Sequence, residues 1–159
     1  MKNKIFTILV ILILTTSCSN DTIAQPIKIS EHTNLVNMFT NEPITMNNEI
    51  HIINIWASWC LECIQEHQDF IELSKNPELS SKLIFVLFQD NKRNAIEFIN
   101  KYGKGNILYA IDANSKLAID LGVFGVPETY IIRNLMIEKK ILGPTNLLSL
   151  QTELNTISK

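Results

Sequence analysis

The chain has 159 residues, of which 46% are hydrophobic and 19% are charged, and its net charge is −2 with both signs spread along the sequence. This length and apolar content are sufficient for one compact domain with its own core. The composition excludes a nucleic-acid-binding protein, which needs a clustered basic surface, and its low glycine and proline content excludes a disordered chain.

The first residues have the layout of an export signal. Lys2 and Lys4 precede an apolar run over residues 5–14, and small polar residues follow. A secretory signal combines a positively charged start, a short apolar centre and a cleavage site of small residues. A membrane-spanning helix, in contrast, needs ~20 apolar residues. We therefore expect residues 1–25 to be a signal peptide, or a membrane or lipid anchor, with a linker. Residues 26–159 should then form the functional domain outside the cytoplasm.

Cys18 is the candidate residue for lipid attachment. The stretch from Thr15 to Cys18, TTSC, approximates a bacterial lipobox, in which the chain is cleaved before the cysteine. Thr15 stands where this pattern usually has Leu. A lipid on Cys18 would tether the domain to a membrane.

Apolar runs and their periods predict alternating strands and helices from residue 51 onward. The first predicted elements are a strand at 51–56, a helix at 60–73, a strand at 82–89 and a helix that starts after Asp90 or Asn91 and stops at Gly103. A strand at 106–112 and a helix at 114–122 follow. The last elements are two strands, 129–133 and 136–142, joined by a hairpin at Asn134, and a C-terminal helix after Gly143 and Pro144.

The order of these elements predicts an α/β fold. Strands and helices alternate through most of the chain, and a strand hairpin follows near its end. This order indicates a mixed central sheet, parallel in its middle, with helices on both faces. Cys60 and Cys63 stand at the first junction between a strand and a helix, where a CxxC indicates a thioredoxin-like redox motif. In open α/β sheets the chemistry gathers at the carboxyl ends of the strands, which is where Cys60 would lie.

The position of the CxxC favours redox chemistry over a structural bridge. A two-residue insert closes too small a loop to give much entropic stabilisation. At a helix N-terminus the backbone N–H groups and the helix dipole stabilise a thiolate, so Cys60 is the expected nucleophile and Cys63 the resolving cysteine. The insert is Leu61-Glu62, which has no histidine and adds a negative charge. It predicts a reductant with a potential nearer about −270 mV than about −120 mV.

Two other interpretations of the CxxC stay open from the residues alone. His67 falls on the same predicted helix face as Cys63, so two thiolates and one imidazole could bind a soft metal such as copper. A closed zinc site would need four ligands, and an isolated histidine on an apolar helix face is more often a packed core residue. The CxxC could also be inert in a domain that only binds partners.

Four stretches resemble thioredoxin-like proteins of cytochrome c maturation, the DsbE (CcmG) type. They are NIWASWCLECIQEHQ, FVLFQDNKRNAIEFI, YAIDANSKLAIDLG and GVFGVPETYII. The likeness extends from about residue 50 to the end of the chain. It implies a thioredoxin-like α/β fold with a mixed central sheet and helices on both faces.

The resemblance also implies roles for residues around the CxxC. Cys60 and Cys63 match the redox pair, and Pro127 matches the cis-proline that lies against the disulfide in thioredoxin-like folds. Glu66 and Glu128 match acidic residues near the active site. Substrate binding is implied for three further residues: Trp59, Phe124 and Val126.

Asn54 departs from the general thioredoxin pattern, which has a buried Asp in the strand before the active site. The carboxylate that helps to deprotonate the resolving cysteine is therefore missing at this position. A carboxyl in apolar surroundings has a raised pKa and can accept a proton near neutrality, so Glu66 or Glu128 is expected to replace it. We also expect both carboxylates at the rim of the client groove, where they would attract a positively charged client.

The function implied is that of a membrane-tethered thiol:disulfide oxidoreductase at the periplasmic face of the inner membrane. Its clients would be the CxxCH segments of apocytochrome c, or other thiol proteins of cytochrome c maturation, reduced before haem attachment. Electrons would come from a membrane donor of the disulfide-reductase type, and no cofactor, metal or nucleic acid is implied. The alternatives are a general periplasmic disulfide reductase and, from a different class, a copper-binding thioredoxin-like chaperone.

Overall fold

One mixed sheet forms the centre of the described part of the chain, residues 27–30 and 34–157 of a computed structural model. Its strands are β1 (Leu35–Asn37), β2 (Ile50–Trp56), β3 (Leu83–Leu87), β4 (Leu108–Asp112), β5 (Glu128–Arg133) and β6 (Met136–Leu142). They lie in the order β1-β4-β3-β2-β5-β6. Strands β2, β3 and β4 are parallel, and β1, β5 and β6 are antiparallel to their neighbours. The predicted sheet, parallel in its middle with a terminal hairpin, is confirmed.

The helices follow the strands as the sequence order predicts. They are α1 (Leu61–Leu73), α2 (Pro77–Ser80), α3 (Lys92–Tyr102), α4 (Lys116–Leu121) and α5 (Leu147–Ile157). Asn91, rather than Asp90, caps α3 by accepting a hydrogen bond from the backbone N–H of Asn94. Gly103 ends that helix at φ 101°, in a region that disfavours side chains.

The sheet is covered on both faces, because alternate residues of β2 enter different cores. Ile52 and Trp56 pack in the cluster that contains α1, α3 and α5 residues. Ile53 and Ile55 pack in the other cluster, with residues of α4. Burial on both faces explains why β2 and β3 read as almost continuous apolar runs.

Two short elements were not predicted. Strand β1 has three residues and is specified by its pairing with β4, in which Val36 lies opposite Ile111. Helix α2 is a single turn that begins after Asn76. Neither is long enough to show a period of its own in the sequence.

The predicted export segment, residues 1–25, and the candidate lipid site at Cys18 lie outside the described residues. Among the helices that the structure describes, none has the length and apolar content to cross a membrane.

Candidate active site

Cys60 and Cys63 meet at the carboxyl end of β2, as predicted. They form a disulfide with a Cα–Cα distance of 5.2 Å. Cys60 is the N-cap of α1, and its Sγ accepts a hydrogen bond from the backbone N–H of Cys63 at 3.1 Å. This N–H and the helix dipole would also stabilise a thiolate on Cys60 after reduction.

The loop that presents Cys60 is held by the residues after β3. Asp90 Oδ2 accepts hydrogen bonds from Ser58 N at 2.8 Å and Ser58 Oγ at 2.6 Å. Trp59 Nε1 donates to Gln89 O at 3.3 Å. Burial opposes ionisation of Asp90, but its hydrogen bonds outweigh this and lower its pKa. The sequence indicated Asp90 only as a possible helix cap, because its partner in the loop is 32 residues away.

Glu62, inside the CxxC, lies beside the nucleophile. Its Oε2 is 4.0 Å from Cys60 Sγ, and the residue is exposed. A negative charge at this distance opposes the thiolate form of Cys60. The contact supports the prediction of a reducing pair, which stays a prediction.

Glu66 is buried in α1, one helical turn after Cys63. Only 2% of the residue is exposed. Its Oε1 accepts a hydrogen bond from Asn54 Nδ2 at 2.8 Å, and its Oε2 accepts one from the backbone N–H of Thr145 at 2.9 Å. Burial raises the pKa of Glu66 to about 7, against the opposing effect of these hydrogen bonds. The carboxyl can therefore take up a proton near neutrality, but the expectation that it lies at an exposed rim is wrong.

Glu128 is also buried, with 3% of the residue exposed, and it anchors the loop before β5. Its Oε1 accepts hydrogen bonds from the backbone N–H groups of Phe124 and Gly125, both at 3.0 Å. Its Oε2 accepts one from the Tyr130 hydroxyl and is 3.3 Å from Lys140 Nζ. Burial alone would raise the pKa of Glu128, but these partners together lower it. The expectation of a proton acceptor is therefore wrong for Glu128. Its carboxylate does line the groove described below, but its charge is buried and paired with Lys140 and is not exposed at the rim.

Replacing Glu128 with Gln is expected to destabilise the protein by about 1–3 kcal/mol at pH 7, because one of its two acceptor oxygens becomes a donor. The folded pKa is lowered, so wild-type Glu128 contributes stability above its unfolded pKa of about 4.5 and loses it as the pH falls through the folded value. The amide protons of Phe124 and Gly125 should exchange faster in the variant. Hydrogen-exchange NMR measures this, with Glu138→Gln on the exposed side of β6 as the control. Unchanged exchange at both amides would contradict the anchoring role.

A groove lies next to the cis peptide bond between Val126 and Pro127, and Val126 packs against the core cluster that contains Cys60 and Cys63. The groove has a volume of about 270 Å³ and is lined mainly by the 124–128 loop and by β6. Phe124 is 97% exposed at this groove, and Leu142 of β6 is 68% exposed. Among the described residues, the backbone N–H and C=O of Val126 have no hydrogen-bond partner. They are thus available to an extended peptide, as the predicted docking role requires. Leu142 was missed because its position depends on the β5–β6 pairing.

His67 does not join the cysteines in a ligand set. The residue is buried, its Nε2–H donates to Gly103 O at 2.9 Å, and its ring packs edge-on against Phe98 at 4.9 Å between centroids. Burial lowers its pKa, although the bond to Gly103 opposes this. Within the described ranges no three His, Cys, Asp or Glu side chains are grouped to hold a metal ion. The imidazole is a packed core group, so the copper hypothesis lacks its third ligand.

Comparisons with known proteins show similarity over most of the described chain. Residues 27–143 match a family model described as Redoxin. The thiol:disulfide interchange protein CycY of Rhizobium leguminosarum bv. viciae is 35% identical over 107 residues, which cover 67% of this chain and 56% of CycY. The thiol:disulfide interchange protein DsbE of Vibrio cholerae is 32% identical over 125 residues, which cover 78% of this chain and 60% of DsbE. The predicted resemblance to the DsbE type is confirmed, although the chain spans only part of the length of these relatives.

A solved structure shares the fold. StoA from Bacillus subtilis has a TM-score of 0.63 and 22% sequence identity, over 79% of this chain and 99% of StoA. Together with the strand order, this likeness confirms the predicted thioredoxin-like fold class.

Proposed function

This chain belongs to the Redoxin family, and from that premise we propose that it is a thiol:disulfide oxidoreductase that reduces disulfides in client proteins. The observation that carries the proposal is the Cys60–Cys63 disulfide at the start of α1, in the core cluster against which Val126 of the groove packs. The joined cysteines represent the oxidised state, which follows the reduction of a client.

The reaction transfers two electrons from the cysteine pair to a client disulfide. The Cys60 thiolate attacks one client sulfur, a mixed disulfide forms, and the second client sulfur leaves as a thiolate. Glu66 takes the proton of the Cys63 thiol, and the Cys63 sulfur attacks Cys60 Sγ. The first client sulfur then leaves as a thiolate, and the Cys60–Cys63 disulfide remains. A dithiol donor must reduce it again before the next turnover.

The client proposed is an oxidised CxxCH segment of apocytochrome c or of another thiol protein of cytochrome c maturation. This client is supported by the likeness to interchange proteins named DsbE and CycY. The layout of residues 1–25 supports a membrane-tethered position at the periplasmic face of the inner membrane. A membrane protein of the disulfide-reductase type would then supply the electrons.

Client preference must come from side chains other than Glu66 and Glu128, because both are buried. Four exposed apolar side chains stand near the cysteines and the groove: Trp59, Leu61, Phe124 and Leu142. Glu62 is the carboxylate that lies exposed beside Cys60 Sγ. It is therefore the side chain proposed to attract the histidine that follows the client's second cysteine.

The experiment compares two oxidised peptides, one with a CxxCH segment and one in which Gln replaces the histidine. The reduced protein should reduce the CxxCH peptide several-fold faster at pH 6 and low salt, because rim charges act mainly on the encounter rate and are screened by salt. The advantage should shrink at high salt and in Glu62→Gln, but not in Glu97→Gln, an exposed carboxyl of α3. Equal rates for both peptides would favour a general disulfide reductase. Failure to reduce either peptide would overturn the proposed function.

A further inference from the structure

Asn54 connects the carboxyl of Glu66 to the sheet. It lies on β2, is completely buried, and its Nδ2 donates to two acceptors. These acceptors are Glu66 Oε1 at 2.8 Å and Thr129 Oγ1 of β5 at 3.1 Å. The Oδ1 atom of the same amide is buried without a partner among the described residues. Both partners of the amide therefore lie on one side of it, at the position that its NH₂ group occupies.

The symmetry of an amide group gives this side chain a second orientation. A half-turn about the Cβ–Cγ bond of Asn54 exchanges its oxygen and its NH₂ group at nearly the same positions. In the observed orientation the NH₂ group suits an ionised Glu66, which can only accept. After the half-turn the oxygen would face Glu66 and Thr129, and it would accept a hydrogen bond from a protonated carboxyl and from the Thr129 hydroxyl.

We propose that Asn54 is a positioning residue that holds the Glu66 carboxyl in both of its protonation states, by donating to the carboxylate and by accepting from the carboxylic acid. The inference rests on the proposed function, in which Glu66 takes a proton from Cys63. In both states Glu66 Oε2 stays free to accept from Thr145 N. The segment before α5 also contacts the groove, because Gly143 N donates to Pro127 O at 3.0 Å. Proton uptake by Glu66 therefore leaves the client groove in place.

The other groups around Glu66 leave this role to Asn54. Helix α1 contributes Cys63 before Glu66 and Asp69 after it, and the charge of Asp69 raises the pKa of Glu66. The two hydrogen-bond partners of Glu66 outside α1 are uncharged, Asn54 of β2 and Thr145 before α5. Asn54 in turn donates to Thr129 of β5, which is also uncharged. Glu128 is the nearest carboxyl of β5 in sequence, but it is bound on the other face of the sheet by Tyr130 and Lys140.

An aspartate at position 54 could not perform this role. Two carboxylates at the observed 2.8 Å contact cannot both be ionised, so the pair would share one proton and titrate in two coupled steps. An amide is neutral in both orientations. It therefore leaves Glu66 as the single proton-carrying carboxyl of this contact.

The first test needs no variant. The oxidised full chain is titrated by NMR, following the Glu66 carboxyl carbon and the Asn54 side-chain NH₂ protons, because the joined cysteines do not titrate. Above the Glu66 midpoint the NH₂ protons should show nuclear Overhauser contacts to Thr129, and below it these contacts should be lost. Identical contacts on both sides of the midpoint would overturn the proposal.

The second test uses Asn54→Leu, Asn54→Asp and the matched control Asn100→Leu on the exposed face of α3. In Asn54→Leu the carboxylate loses a donor, so the Glu66 midpoint should rise by about one pH unit. The kcat for CxxCH peptide reduction at pH 7 should fall about tenfold while KM is unchanged, since the groove is intact. Asn54→Asp should titrate in two steps. A wild-type midpoint and kcat in both Asn54 variants would also overturn the proposal.

The outcomes separate this inference from the proposed function. Normal peptide reduction with an unresponsive Asn54 amide would overturn only the role of Asn54. A responsive amide in a chain that reduces no disulfide would overturn the proposed function and leave the positioning of Glu66 in place.

Discussion

Replacing Cys60 with Ser is expected to lower peptide reduction to the uncatalysed rate, whereas Cys63→Ser should accumulate a mixed disulfide with the client. Exposure does not distinguish the two sulfurs, since each residue is 3% exposed in the disulfide. Their positions in helix α1 do distinguish them, because Cys60 is the N-cap and its Sγ accepts a hydrogen bond from Cys63 N. The thiolate that attacks a client should therefore form on Cys60. Mass spectrometry under non-reducing conditions measures the trapped complex.

The trapping experiment needs the third cysteine removed. Cys18 is replaced by Ser in every variant, and a chain without all three cysteines is the control. If Cys60→Ser traps clients and Cys63→Ser does not, the roles of the two cysteines are reversed. If neither variant forms a complex with the oxidised CxxCH peptide, the CxxC does not attack this client.

The stability of the oxidised protein is expected to fall by about 3 kcal/mol through Glu66 as the pH rises from about 4.5 to beyond about 7. The pKa of Glu66 is about 7 in the folded protein, against 4.5 for the free side chain. Between these values the folded state binds more protons than the unfolded state, so stability decreases with rising pH. Glu128 changes stability with pH in the opposite direction, because its pKa is lowered in the folded protein.

The variant Glu66→Gln should lack the pH-dependent contribution of Glu66 to stability. Its amide cannot ionise, so the variant is expected to be less sensitive than the wild type to pH between 4.5 and 8. Its amide oxygen can still accept from Thr145 N while its NH₂ group donates to the turned amide of Asn54, so both hydrogen bonds should be kept. Urea unfolding at several pH values measures the difference between the two proteins.

The difference in unfolding free energy between wild type and variant at each pH reports on Glu66 alone, because the other titrating groups are common to both proteins. Burial lowers the pKa of His51 and His67, and these two residues change stability in the opposite direction in both proteins. The exposed substitution Glu97→Gln is the control and should leave the pH profile as in the wild type. Parallel profiles for wild type and Glu66→Gln would show that Glu66 does not titrate in this range.

The sequence by itself determined the alternation of strands and helices and the place of the CxxC. Each of these depends on local patterns that act over a few residues. The apolar run of β2 and the helical period after Cys60 place the CxxC at a junction between a strand and a helix wherever the rest of the chain folds. The strand positions at 129–133 and 136–142 follow in the same way from β-branched residues on either side of Asn134. The elements missed, β1 and α2, are too short for such a pattern.

Only the tertiary structure decided what the buried polar side chains do. The helical period puts Glu66 near the face that carries Cys63, but its burial and its partners come from Asn54 and Thr145, 12 and 79 residues away. Glu128 has the same side chain and comparable burial, yet Tyr130 and Lys140 hold it ionised. The pKa of a buried carboxyl depends on the balance between desolvation and the hydrogen-bond donors that surround it. Those donors come from distant parts of the chain, so no local pattern distinguishes a proton acceptor from an anchor.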